Sequence, residues 1–360
     1  MRKPLIGWIL IVAGCSIGNG TPREVYAQDG KANISEAVLR PDLMPARFWI
    51  AHVASNSANT WESASPEIVS AVILDVNELE IIYASEQATS ASRLTSARLQ
   101  AIEVVWGSDA GSQAHSAFAR GDFKTAIDLS KAAIANGNLP KWQQRILAAE
   151  LTECLTSLDQ HANACRVFIS LCRESPAPLL YASAPLNWTL EPAIPSHVQL
   201  AKEWIGLEGE PTSQLIGASW LLIGSESSRL ARTTLEKLGR SKSTVIAQLA
   251  SAQLWRDTPP NQVLDQYSIW AAQRDRMLLP LQIGPTIAIA NKLQTVGQSE
   301  ASLQEWLRVL FLFPSNHRAS KRARESVVEL LKGLGRNEEA ARMAISTSGA
   351  ETPADREPVR

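Results

Sequence analysis

The sequence predicts a mainly α fold, an α-solenoid of stacked helix hairpins preceded by a small antiparallel β domain. Small residues recur 38 positions apart in two places, Ala126 with Ala164 and Ser302 with Ala340, each inside an amphipathic run. A period of this size marks a stacked supersecondary unit, because one hairpin cannot bury its apolar face alone. Between residues 47 and 107 the apolar residues instead fall in short β-branched runs, which suit strands rather than helices.

The chain opens on the pattern of a secretory leader. Arg2 and Lys3 precede an apolar stretch over residues 5–17 that is too short to span a bilayer comfortably. Val25-Tyr26-Ala27 then places small residues where a signal peptidase reads, so 1–27 is expected to be a signal peptide. The protein is thus expected to be exported, to the periplasm, the envelope or beyond. A competing reading is a lipid anchor at Cys15, since Val12-Ala13-Gly14-Cys15 resembles a bacterial lipobox. No later segment reaches transmembrane length. Residues 28–46 are polar without a clear period and read as a flexible arm.

Within 47–107, residues 70–76 and 79–83 predict two strands joined by a turn at Asn77-Glu78. Residues 101–106 predict a third strand, and Trp49 and Ile50 begin a fourth. A unit this small has a meagre core, so it should dock against the first helices. Helix periodicity takes over at 108–176, with helices expected over 113–120, 123–135, 141–157 and 161–173. Pro176, Pro178, Pro185, Pro192 and Pro195 then break the pattern, because proline lacks the donor that a helix interior needs. Residues 177–196 are therefore read as an irregular crossover pinned to the surface. Helical patterning resumes over 197–346, in runs at 197–207, 214–223, 228–238, 244–256, 262–276, 286–296, 301–311 and 319–346. The polar stretch 347–360, with two prolines, reads as a disordered tail.

The repeats carry a recognisable grammar. In Gly121-Asp122-Phe123-Lys124-Thr125-Ala126-Ile127 the glycine closes a turn, Phe123 starts the second helix, and Ala126 is small enough for the paired helix to approach. Ala164 is followed by Phe168 and Pro176; Gly297, Ser302, Trp306 and Pro314 repeat that spacing, and Gly335 with Ala340 begins it again. These residues resemble the tetratricopeptide repeat, in the exported bacterial type with a small β-rich segment ahead of the hairpins. The resemblance implies an interaction role and assigns no activity. The chain departs from the family where Asp159 replaces the turn glycine and where Ser130 and Ala344 replace the aromatic residue. Residues 229–255 resemble a looser, HEAT-like hairpin.

Composition narrows the function classes. A chain with 45% hydrophobic and 20% charged residues fits a folded protein, and a net charge of -1 gives no global attraction to nucleic acid or anionic membrane. Residues 29–109 carry 11 acidic and 5 basic residues, whereas 318–342 carry 7 basic and 4 acidic, so the chain is mildly polarised. Arg318, Lys321 and Arg322, with Arg324, form a basic cluster on one helix. It suits docking of an acidic partner, or is simply a solvated face.

Three cysteines follow the leader, so at least one thiol is unpaired in a monomer. Cys154 and Cys165 fall on facing helices at similar distances from the turn near Asp159. A disulfide between them is open, as is the reading of small buried apolar residues. Their spacing with Cys172 does not suit zinc. His52, His115, His161, His197 and His317 are scattered and read as surface or cap residues. Trp142, Trp188, Trp204, Trp220, Trp255, Trp270 and Trp306 sit at helical spacing among apolar residues and read as core. No phosphate-binding loop, metalloprotease helix or nucleophile elbow occurs. The expected function is a non-enzymatic exported scaffold holding an unidentified protein or peptide, without a cofactor and without nucleic acid. The alternative is an envelope glycan-binding protein or an enzyme with an unrecognised site.

Overall fold

A computed structural model describes residues 7–8, 46–50, 67–84, 90–106, 108–224 and 226–345. Most of the expected leader, Cys15, the arm before Ala46 and the 347–360 tail lie outside the described residues. The β region is one antiparallel sheet of β1 (Gly7–Trp8), β2 (Ala46–Ile50), β3 (Glu67–Val76), β4 (Glu80–Ala84), β5 (Ser92–Thr95) and β6 (Leu99–Val104), in the order β1-β6-β2-β3-β4-β5. Thirteen α-helices follow among the described residues, so the fold is mainly helical with a small antiparallel sheet ahead of the hairpins.

The sheet is placed by alternation and one bulge. Ala71 and Ile73 on β3 point into the core, and a register shift between Ile73 and Asp75 then brings Val76 to the same side. The Asn77 side chain shapes the β3–β4 turn by accepting from the backbone N–H groups of Leu79 and Glu80, at 3.0 and 3.1 Å. β6 lies between β1 and β2 and buries residues of both parities. Its Glu103, 3% exposed, meets the Arg47 guanidinium at 2.7 and 3.2 Å. The periodicity misses two strands of the sheet, β5, whose burial is mixed, and the two-residue β1 within the expected leader.

Four helices open the solenoid: α1 (Asp109–Ala119), α2 (Phe123–Ala135), α3 (Lys141–Ser157) and α4 (His161–Arg173). After the crossover come α5 (Pro195–Ile205), α6 (Pro211–Leu221), α7 (Ser228–Leu238), α8 (Thr244–Leu254), α9 (Val263–Asp275) and α10 (Ile283–Thr295). The last are α11 (Ser299–Leu312), α12 (His317–Gly333) and α13 (Asn337–Ile345). The run expected over 319–346 is therefore two helices, parted at Gly335.

The four repeat turns share one geometry. Gly121, Asp159, Gly297 and Gly335 have φ of +75°, +57°, +73° and +76°. After each, the next residue donates its N–H five residues back, Asp122 to Ala117, Gln160 to Leu155, Gln298 to Leu293 and Arg336 to Leu331. This closure satisfies a helix-end carbonyl and needs a left-handed residue, which glycine adopts without strain and aspartate tolerates. The repeat alanines lie where the helices approach. Ala126 and Ala164 are fully buried in one cluster with Ala117, Leu151, Cys154 and Leu155. Ser302, also fully buried, donates its hydroxyl to Ala290 O at 2.9 Å, and Ala340 is 1% exposed. Phe168 and Trp306 fill the interiors, Pro176 is buried beyond α4, and Pro314 is exposed beyond α11.

Two expectations are corrected. Cys154 and Cys165 are not joined: both are free buried thiols, and they occupy different clusters. Ala164 and Cys165 are neighbours about 100° apart around α4. Because Ala164 faces Cys154, Cys165 turns toward the main core instead. The 177–196 crossover is not surface-pinned in its first half. Ala177, Leu179, Leu180, Tyr181 and Leu186 are buried, with Pro178–Ser183 forming a 3-10 turn. Its apolar content drives it inward.

The sheet shares the main core rather than standing apart. Phe48, Ile81 and Ile102 join Ile146, Phe168, Leu180, Leu215 and Leu249 in one continuous cluster. Polar ties run to α3, where Arg145 donates to Asp75 Oδ1 and Val76 O, and to the end of α4, where Glu78 N–H donates to Ser175 O. A further tie links Leu279 N–H to Gln100 Oε1 at 3.0 Å, far along the chain. At the other end, His317 at the start of α12 sits edge-on to Phe123 and Phe118, with ring centroids 5.6 and 6.2 Å away. The superhelix thus curls until its last repeats touch its first turn.

Two stability outcomes follow from this packing. Ala164→Leu should lower stability by about 1–3 kcal/mol through overpacking of the α3–α4 contact, read as a lower urea midpoint. Asp159→Gly should raise stability by about 0.5–1 kcal/mol, since it removes the left-handed penalty at an exposed turn. An unchanged or lower melting temperature for Asp159→Gly would place the cost elsewhere.

Candidate functional site

The curl encloses a cavity of about 140 Å³ between the α3–α4 turn, the crossover, α10 and the first turns of α12. Its apolar wall includes Trp188, Trp220, Leu249 and Ile287, and its polar groups include Glu153, His161, Arg318 and Arg322. A concavity that sets apolar walls beside a few convergent polar groups is a usual form of ligand site.

Each group is placed by its element. Glu153 stands on α3, one turn after Glu150 and between residues that face the core. Burial, with the nearby Glu150 charge, pushes its carboxyl up to about 8, so it is largely protonated at neutral pH. His161 begins α4 and is stacked edge-on against His197 and Trp220, with ring centroids 5.1 and 5.0 Å away. Burial, aided by the Arg318 and His197 charges, lowers its pKa to about 4 despite Asp159 Oδ1 at 3.5 Å from Nε2. The Nδ1 atom of His161 is buried without a hydrogen-bond partner among the described residues. The Trp188 ring packs against α10 at Gly284. A Cβ added at Gly284 would come within 2.0 Å of its ring, so that position has no room for any side chain.

α12 supplies the basic side. Asn316 caps it by accepting from Ala319 N–H at 2.9 Å, so the positive end of the helix faces the cavity beside Arg318 and Arg322. Arg322 lies 5.6 Å over the Trp306 ring and donates to Asn291 Oδ1 at 3.4 Å. Arg318 makes no hydrogen bond or ion pair among the described residues. Burial lowers the pKa of both arginines.

The structure divides the residues singled out in the sequence. Arg318 and Arg322 reach the cavity, while the exposed Lys321 does not line it. Of the seven tryptophans read as core, Trp142, Trp255, Trp270 and Trp306 are buried, whereas Trp188, Trp204 and Trp220 are half-buried. The repeat residues Gly121, Phe123, Ala126, Gly297, Ser302 and Pro314 are structural and lie outside the cavity lining. Two histidines read as surface residues are buried instead. His115, 1% exposed, meets Glu150 Oε1 at 2.7 Å, and His161 is in the cavity wall. Glu153 was hidden by context: a second carboxylate one turn after Glu150 looks like part of a solvated edge until the crossover covers it. Among the described residues no group of His, Cys, Asp and Glu could hold a metal ion, and no helix is long and apolar enough to cross a membrane.

Comparison with protein families, curated proteins and solved structures finds no match to this chain.

The Glu153 environment has a stability consequence with a definite sign. Its folded pKa is raised, so the burden on the fold is absent below pH 4.5, grows as the unfolded carboxyl ionises, and levels off above about pH 8. Glu153→Gln should therefore stabilise the protein at pH 7 by on the order of 2 kcal/mol and leave it unchanged at pH 4. Paired thermal melts at the two pH values measure this, and an equal shift at both would remove ionisation as the cause.

Proposed function

We propose that the protein is a non-enzymatic helical-repeat scaffold of tetratricopeptide-like type, exported to the periplasm or cell envelope, that holds a protein or peptide segment in the cavity between α3, α4, the crossover, α10 and α12. The observation that carries this reading is the convergence itself. Elements from distant parts of the chain meet around a cavity that keeps a protonated carboxyl, a neutral histidine and an arginine without an ion pair. The covered carboxyl and histidine cost folding energy, and clefts that retain such groups are candidate functional sites, while Arg318 stays exposed at the rim. The repeated turns at Gly121, Asp159, Gly297 and Gly335 support the repeat architecture, and curved repeat stacks offer concave binding surfaces.

A photo-crosslinking residue at exposed Lys321, beside the rim, should capture a discrete protein adduct in the producing cell. The same residue at exposed Leu230 on α7 should not. Cell fractionation should find the protein in the envelope or periplasm. Equal labelling from both positions, or retention in the cytosol, would reject the scaffold reading or its export respectively.

A second reading, the glycan-binding protein or enzyme, is favoured by Trp188 and Trp220 in the wall and by the opposed shifts of Glu153 and His161. A glycan array separates sugar recognition from peptide recognition.

A further inference from the structure

We propose that the cavity recognises a carboxylate carried on an apolar body, with Arg318 and Arg322 receiving the anion and Trp188 and Trp220 flanking the body. This rests on the reading of the cavity as the binding site. Arg318 and Arg322 are four apart on α12, so they share one face, and both line the cavity. Asp159, Glu191 and Glu325 act on them only at longer range; none of these carboxylates forms an ion pair with either. Arg322, half-buried, and Arg318, exposed at the rim, add their charges to the capped start of the helix, which leaves a positive field there. Guanidinium groups match a carboxylate in geometry as well as charge.

The remaining lining selects the kind of anion. It contains no lysine and no glycine-rich loop, and much of it is apolar, which suits a single charge on an apolar group better than a polyphosphate. The unpartnered His161 Nδ1, on a side chain 10% exposed, and the Glu153 carboxyl add polar contacts without adding negative charge at neutral pH. The source of the carboxylate is either a peptide C-terminus or a small organic acid.

The charge state makes the inference testable. Glu150 on its own helix is the charge that acts on Glu153, and His161 on α4, Tyr181 in the crossover, and Arg318 and Arg322 on α12 are the other titratable groups that line the cavity with it. Burial moves Tyr181 up, away from neutrality, and His161 down, so Glu153 is the acid placed to ionise near pH 8. Once ionised it repels a bound carboxylate.

Titration calorimetry on the full chain would use four probes: 3-phenylpropanoate, 3-phenylpropanamide, and a Leu-Phe dipeptide with a free or an amidated C-terminus. At pH 7 at least one acid should bind about 10-fold more tightly than its amide, and the acid that does so identifies the source. Arg318→Gln should weaken that acid about 10-fold without changing amide binding, which also reports that the cavity is intact. Raising the pH to 9 should weaken the acid by a similar factor in the natural protein and not in Glu153→Gln. Equal affinity for acids and amides would overturn carboxylate recognition and leave the cavity reading standing. No binding by any of the four at millimolar concentration would overturn both.

Discussion

Arg256 is buried to 1% exposure and holds the two halves of the solenoid together through their backbone. Its Nε donates to Thr189 O at 2.9 Å in the crossover, and its Nη1 donates to Ser219 O at 2.8 Å on α6 and to Gln253 Oε1 on α8. Asp257 favours its charged form, against burial, which lowers its pKa. A guanidinium in such a place costs several kcal/mol of lost hydration, which the carbonyl contacts offset only in this arrangement. What the arrangement permits is a buried irregular segment, whose backbone polar groups would otherwise go unsatisfied. Other side chains complete the task. Trp220 Nε1 donates to Pro185 O at 3.0 Å, Asn291 Nδ2 donates to Trp188 O at 3.3 Å, and Ser219 Oγ accepts from Asn187 N–H at 3.2 Å.

The crossover in turn fixes both cores and the cavity. Leu179, Leu180 and Leu186 belong to the main cluster that includes the sheet, while the Trp188 ring packs against both that cluster and the one built by α10–α13. Trp188 can lie there only because residue 284 has no side chain. Asn187-Trp188-Thr189 matches a glycosylation sequon by pattern, yet Asn187 is 7% exposed and its Oδ1 accepts from both Thr189 N–H and Thr189 Oγ1 at 2.9 Å. The motif is an Asx turn that steers the chain past the cavity.

Local chemistry made most of the repeat architecture legible. The boundaries of α2, α3, α4 and α7 are legible in the sequence: α2, α4 and α7 present an apolar stripe flanked by turn residues, and α3, buried on most sides, is bounded by Pro140 and the turn at Asp159. Spacing also reveals Asp159 as the stand-in for the turn glycine, and its φ of +57° is the conformation that substitution requires. Long-range events were not legible. Prolines announce that a helix stops but not that the following residues go inside, and that decision belongs to Arg256, Trp220 and Asn291, distant in sequence. Glu153 and His161 acquire their shifted charge states only when the crossover and α12 close over them, so single-residue context gives no warning. Arg318 and Arg322 were visible as a basic cluster, while their separation from Lys321 is a matter of helix rotation against a partner surface that the sequence does not specify.

Closure of the superhelix gives these separate features one cause. His317 wedges its ring between Phe118 and Phe123 beside Gly121, a contact between the last repeats and the first turn. One residue on, Arg318 comes close enough for its charge to disfavour protonation of His161. Had α12 remained apart, His161 would lose the Arg318 charge beside it and, with Glu153, would keep a more ordinary acidity. The position of α12 therefore sets the cavity's shape and its electrostatics together. Arg322 also ties it to its neighbours, because it reaches Asn291 on α10 and the Trp306 face on α11. The same helix thus couples the basic rim to the interior of the C-terminal repeats, so a change in repeat packing is felt as a change in charge at the cavity.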